Sequence, residues 1–334
     1  MRTRNFTILD RPVSELGFGG ANIGNLREAT SSQKSLDLVA FATEQNVSHF
    51  DTAPHYGAGL SETRLGMALY DSQTSDTIVS TKVGRRLVPD SRYRAISAAD
   101  FEQASPFVRE FDYSYDGVMR SVDDSLNRMG RSQFDILYMH DIGRVTHGYD
   151  HDNQFRIAMN EGFRAMSELK SQGVVQAIGV GANEWEVCER TLDYADFDCF
   201  MVANAFTLLD HTILERFEPE CAKRNKSLVV AAPFASGILV TGSRKAGSYK
   251  YQPPTNYILQ KVAALEELCS IYNVPLQALA IQFPLKYQTV KSVVVGMREQ
   301  QEITQNIEWY QYAIPEDCWQ AVFNLLGLDC QAIG

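Results

Sequence analysis

No stretch of this chain approaches the roughly 18 uninterrupted apolar residues that a membrane-spanning helix needs. No two cysteines form a CxxC pair: Cys188, Cys199, Cys221, Cys269, Cys318 and Cys330 are scattered. That spacing argues against a zinc or disulfide framework and for free thiols in a reducing compartment, so the expected location is cytoplasmic. Positive charge is in deficit. Lys and Arg number 31 against 41 Asp and Glu, a net charge of -10 at pH 7, which provides no footprint for nucleic acid or anionic membrane. The opening MRTRNFTILDRP lacks an apolar core with a small-residue cleavage site, so no signal peptide is expected. No Pro/Gly/Ser linker divides the 334 residues, and a single domain over 1–334 is expected.

What is present is alternation. Short apolar runs suited to buried strands fall at 15–19, 48–51, 77–81, 134–139, 175–180, 199–203, 227–232 and 291–295. Segments of helical spacing lie between them, at 32–45, 61–70, 115–129, 154–171, 184–194, 212–224 and 257–286, the last broken near Pro275. Several strands are apolar nearly throughout, as in sheets covered on both faces. An open sheet that binds a dinucleotide should carry GxGxxG between its first strand and a helix. The nearest match, GFGGANIG at 17–24, meets no helix-forming run until Ser31. The expected fold is therefore an α/β (β/α)8 TIM barrel.

One connection is out of proportion. From Val83 to Phe111 no convincing helix occurs, and connections longer than about 15 residues without regular structure are usually functional or disordered. Its Tyr93, Phe101, Phe107 and Phe111 suit an ordered pocket wall. Arg85, Arg86, Arg92 and Arg94 read as solvated loop charges.

Three successive strands end in polar residues. SHFD ends in Asp51, TIVSTK in Lys82 and FDILYMH in His140, and Tyr56 lies in the loop just after Asp51. Taken singly these are a turn former, a solvated charge, a structural histidine and a surface aromatic. In a barrel all four reach one rim. A tyrosine with pKa about 10 is a poor acid or base at neutral pH, and a nearby ammonium should lower it. Asp51 would hold Lys82 charged, and His140 would bind a substrate oxygen. There is no nucleophile–base pair for acyl transfer and no second carboxylate for glycoside hydrolysis. Redox at a C–O centre fits best. His147 and His151, with Asp141, Asp150 and Asp152, show no metal-ligand spacing, and no metal is expected.

These segments, FDTAPHYGAGLSETRLG, STK and YMHD, resemble the signatures of the aldo-keto reductase family, over 15–306. The resemblance implies a (β/α)8 barrel, a nicotinamide cofactor bound without a Rossmann domain, and a catalytic tetrad of Asp51, Tyr56, Lys82 and His140. KVGRRLVP, FDYSYDGVMRSVDDSLNRMG, HDIGRVTHG and GVGANEWE resemble one branch, that of D-threo-aldose (L-fucose) and L-galactose dehydrogenases and a pyridoxal 4-dehydrogenase. That branch implies oxidation of a cyclic hemiacetal to a lactone, with Tyr56 as base. A general aldehyde or ketone reductase and a cofactor-sensing regulatory subunit are lower alternatives.

By the same resemblance Asn183 would bind the nicotinamide carboxamide. Ser236, Gly237 and Leu239 would wrap the pyrophosphate. Arg298, Glu302 and Asn306 would meet the adenosine end. The usual stacking tyrosine is replaced at Ala231 and Ala232, leaving Phe234 or Phe206 to substitute. Glu302, where NADP-specific members often carry a basic residue, favours NAD, with NADP possible. The expected partner is a small hemiacetal or aldehyde, with a monomer and a homodimer both open.

Overall fold

The computed structural model describes residues 1–6, 8–70, 76–90, 100–245 and 247–329. Eight parallel strands close a barrel: β1 (Leu16–Gly19), β2 (His49–Asp51), β3 (Ile78–Val83), β4 (Phe134–His140), β5 (Val175–Ala182), β6 (Cys199–Ala203), β7 (Ser227–Ala231) and β8 (Val290–Gly296). Every strand neighbours the next in sequence, and β8 closes on β1. Strands β3 and β4 are buried along their whole length, which is why their apolar runs do not alternate. The outer layer includes helices α1 (Ser32–Glu44), α2 (Leu60–Tyr70) and α3 (Tyr115–Met129).

Local chemistry sets the helix ends. Ser31 accepts from Lys34 N–H and Ser114 from Gly117 N–H, each satisfying a backbone donor that the first turn leaves free. Asn46 takes φ 61° between α1 and β2, a left-handed turn that asparagine tolerates. Near Pro275 the long apolar segment divides into Asn256–Tyr272 and Leu276–Leu285. The helix expected over 154–171 is composite, with a π-helical stretch at Ala158–Gly162 between two α-helical pieces. Among the described residues no helix is long and apolar enough to cross a membrane.

Two hairpins depart from the expected scheme. Thr3–Arg4 pairs with Val13–Ser14, and Phe6, Leu9 and Val13 pack against Ile78, Ile136 and Met201 inside the barrel. This plugs the end where strands begin. Arg4 fastens the plug by donating to the carbonyls of Leu285, Tyr287 and Val290. The second hairpin, Arg85–Pro89 with Phe107–Phe111, lies inside the long connection expected to lack regular structure. It rises beside the rim where strands end.

Candidate active site

Asp51 and His140 end β2 and β4, and Lys82 is the penultimate residue of β3. Inside that rim Lys82 Nζ lies 2.6 Å from Asp51 Oδ2 and donates to Thr52 O at 2.9 Å. Both side chains of the ion pair are 3% exposed. Ser80 completes the carboxylate's shell by donating to Asp51 Oδ1 at 2.8 Å. After Tyr56 the chain turns through Gly57 at φ 64°. A Cβ at Gly57 would stand 2.4 Å from the Gly24 carbonyl, so only glycine lets the loop come this close. The turn brings the Tyr56 ring over Lys82, with Nζ 4.8 Å from its centroid. His140 meets the same ring edge-on at 6.3 Å between centroids. All four expected residues therefore converge.

The electrostatics correct one expectation. Burial pushes the Tyr56 phenol up to about 12, and the pull of Lys82 the other way does not overcome it. Tyr56 is thus a neutral phenol at rest, its side chain half-buried at the cleft. Burial would discharge Lys82, but Asp51 and Tyr56 together outweigh it and hold the ammonium above its ordinary value. Burial, with Arg85 and Lys82 beside it, drives His140 well below the usual imidazole range. His140 is a neutral hydrogen-bonding group, and among the described residues its Nδ1 has no partner.

A second layer escaped the sequence reading. Arg85 is not solvated. It donates to Asp141 Oδ2 at 2.6 Å, lies 3.0 Å from His55 Nδ1, and its side chain is 13% exposed. Arg109, from the opposite strand of the hairpin, reaches the same His55 Nδ1 at 3.0 Å. A nitrogen facing two guanidinium donors is the acceptor, so His55 carries its proton on Nε2. Asp141 (φ 54°) sits 3.4 Å from His140 Nε2 and accepts from Asn183 Nδ2 at 3.3 Å. The one available signal was adjacency, since His55 precedes Tyr56 and Asp141 follows His140.

Above the tetrad, Phe101 stacks on Tyr56 with centroids 6.1 Å apart. Its segment is laced to the loop after β1: Arg27 N–H donates to Asp100 O, and Glu102 N–H to Asn25 O. Tyr93, expected in this wall, and Arg92 and Arg94, expected as solvated charges, lie outside the described residues, as does Cys330.

A cleft of about 520 Å³ runs from Asp51 and Tyr56 to Arg298, Glu302 and Asn306. Gly20 lines it, and a Cβ there would stand 2.7 Å from the Asp51 carbonyl. The glycine-rich segment thus serves this cleft although its context excluded a Rossmann turn. Ser236 and Gly237 line the wall. Leu239 does not: its side chain is fully buried and its N–H is taken by Phe234 O. Phe206 is also buried, against Phe283 and Tyr287, whereas Phe234 reaches the cleft.

The polar groups suit a nicotinamide dinucleotide. Asn183 and Asn204 line a neighbouring cavity that shares Tyr251 with this cleft. Among the described residues Asn183 Oδ1 is buried without a hydrogen-bond partner, an acceptor suited to the N–H of a primary carboxamide, whereas Asn204 bonds to the Tyr251 phenol. Asn204 was not anticipated. It is 2% exposed, with φ 57°. At the far end of the cleft Asn306 Oδ1 has no partner among the described residues. Glu302 accepts from the backbone N–H of Arg298 at 2.6 Å, and the Arg298 guanidinium donates to Leu26 O. That cation is already engaged rather than held out for a phosphate. Among the described residues no group of three His, Cys, Asp or Glu could hold a metal ion.

The sequence profile of the Aldo/keto reductase family matches residues 15–326. The chain is 36% identical over 316 residues to the pyridoxal 4-dehydrogenase of Microbacterium luteolum, with 92% of each chain covered. It is 35% identical over 311 residues to the D-threo-aldose 1-dehydrogenase of a Pseudomonas species, again with 92% of each covered. Among solved structures it is similar to the holo form of an aldo-keto reductase from Bacillus halodurans, at 25% identity and TM-score 0.76 over 100% of both chains.

Proposed function

The chain belongs to the aldo/keto reductase family of NAD(P)-dependent oxidoreductases, and we propose that it oxidises the ring hemiacetal hydroxyl of an aldose to a lactone, with NAD as the preferred acceptor. L-Fucose, D-arabinose and L-galactose are the sugars meant. The observation that carries this reading is Tyr56, a single proton-transfer group set over the Lys82–Asp51 ion pair at one end of the cleft.

A bound nicotinamide supplies the two-electron acceptor. The neutral imidazole of His140 holds the substrate hydroxyl at the rim. Tyr56 takes the hydroxyl proton as the C1–H electron pair leaves and the C1–O double bond forms. Lys82 stabilises the phenolate that this transfer requires, and Asp51 keeps Lys82 charged in a site that would otherwise neutralise it. Asn183 would orient the carboxamide. Glu302 repels a 2′-phosphate and accepts from ribose hydroxyls instead.

A second reading rests on the 36% identity to a pyridoxal 4-dehydrogenase. Pyridoxal presents the same ring hemiacetal, and the same four residues would oxidise it to 4-pyridolactone. NADH absorbance with L-fucose, D-arabinose, L-galactose and pyridoxal separates the two. Turnover confined to pyridoxal selects the second, and no turnover of any of the four with NAD or NADP defeats both.

A further inference from the structure

Beneath the catalytic rim a line of polar side chains crosses the barrel interior, on strands whose neighbours are otherwise packed with Ile, Met and Val. His49, on β2 two residues before Asp51, is fully buried. Its Nδ1 lies 3.0 Å from Ser292 Oγ on β8, and its Nε2 lies 3.4 Å from Ser80 Oγ on β3. Ser80 in turn donates to Asp51 Oδ1 at 2.8 Å. Room for the imidazole comes from Gly17 on β1, where a Cβ would stand 3.2 Å from His49 Nδ1 and 3.1 Å from Ser292 Oγ.

Proton counting gives this line a direction. A serine has one hydroxyl proton, and the Ser80 proton goes to the carboxylate, which cannot donate. Ser80 Oγ must then accept from His49, placing the imidazole proton on Nε2. His49 Nδ1 becomes the acceptor, and Ser292 donates to it. The run of donors therefore reads Ser292 to His49 to Ser80 to Asp51. A charged imidazole would break it at Nδ1, and burial beside the Lys82 ammonium drives His49 down to about 3, so it stays neutral.

We propose that His49 is a positioning residue for the acid–base site: it fixes the Ser80 hydroxyl as a donor to Asp51 and so keeps that carboxylate ionised beneath Lys82. The need is physical. Burial alone pushes Asp51 upward, and only Lys82 and Ser80 are placed to oppose it. The other titratable groups facing this carboxylate are the Tyr56 and Tyr138 phenols, and the Asp51 charge raises each of them. A protonated Asp51 would leave Lys82 without its counter-ion and Tyr56 without a charged neighbour. The proposal rests on the Tyr56 reading above for its catalytic consequence, but not for its effect on Asp51.

The test follows the Asp51 carboxyl itself, by isotope-edited infrared titration of the whole protein with the band assigned through Asp51→Asn. His49→Leu and Ser80→Ala should each move the protonation midpoint upward by about one pH unit or more. His49→Gln, which keeps an amide donor, should stay near wild type. The acid limb of kcat/KM should shift in parallel for the same variants. If His49→Leu does not fold, Ser80→Ala carries the test alone. An unmoved midpoint in the folded variants overturns the proposal, as does a His49→Gln midpoint that moves as far as that of His49→Leu. Retained turnover in Tyr56→Phe defeats the proton-transfer reading instead and leaves the midpoints to be judged separately.

Discussion

The Lys82 ammonium faces the Tyr56 ring, with Nζ 4.8 Å from the centroid. It is anchored there by Asp51 rather than released to solvent. Tyr56→Phe removes only the hydroxyl, so kcat/KM should fall by at least about a thousandfold, while quenching of protein fluorescence by NADH titrates as in wild type. Lys82→Met should lose comparable activity. It should also cost about 3–5 kcal/mol of stability in urea unfolding, because Asp51 is left buried and unpaired. Wild-type turnover by either variant would remove Tyr56 and Lys82 from the mechanism.

Oxidation and reduction should differ in their pH profiles. With Tyr56 raised to about 12, the phenolate that accepts a proton is a minor species at neutral pH. Its fraction grows about tenfold per pH unit below that value. Oxidative kcat/KM should therefore climb between pH 7 and 10, whereas the reductive direction, which needs the phenol, stays level there. Steady-state rates on a slow substrate at saturating cofactor check this, and a level oxidative profile counts against Tyr56 as base.

Cofactor choice should turn on Glu302. Its carboxylate lines the cleft beside an arginine already engaged with Leu26 O. Glu302→Gln keeps the acceptor for the Arg298 N–H and removes the charge. The ratio of kcat/KM for NADP to that for NAD should rise by about tenfold, a difference of about 1.4 kcal/mol. A ratio already favouring NADP in the wild type refutes the assignment.

Acid should destabilise the fold before its carboxylates are protonated. His49 and His140 are both held below the ordinary 6.5, chiefly by burial. The unfolded chain therefore binds their protons first as pH falls. Their contribution is complete above pH 6.5 and is lost below it, by up to about 1.4 kcal/mol per unit for each, until His49 itself protonates near 3. Urea midpoints measured from pH 7 to pH 5 should decline steadily, and a constant midpoint would contradict buried neutral imidazoles.

Strands and tetrad were legible for the same reason. A strand buried on both faces is written as an apolar run, and a residue that ends such a run must stand at the barrel rim. Asp51, Lys82 and His140 needed nothing further. The Arg85–Phe111 hairpin did not show, because its two strands are separated by more than fifteen residues and pair only in three dimensions. The upward shift of Tyr56 was hidden too, since burial is set by Phe101 and the surrounding loops rather than by the neighbours of Tyr56 in sequence. Asn204 gave no pattern at all. Its partners, Ser236 and Tyr251, are distant in sequence and meet it only in the folded barrel.

The backbone lacing between Asn25–Arg27 and Asp100–Glu102 joins two regions with separate tasks. One belongs to the long cleft, where Leu26 and Arg27 form part of the wall. The other carries Phe101 against the Tyr56 ring. Neither can be reshaped alone. A change in the 100–105 segment that opens the space above Tyr56 must also shift this wall of the cleft, so under the function proposed above altered substrate range should arrive together with altered cofactor affinity.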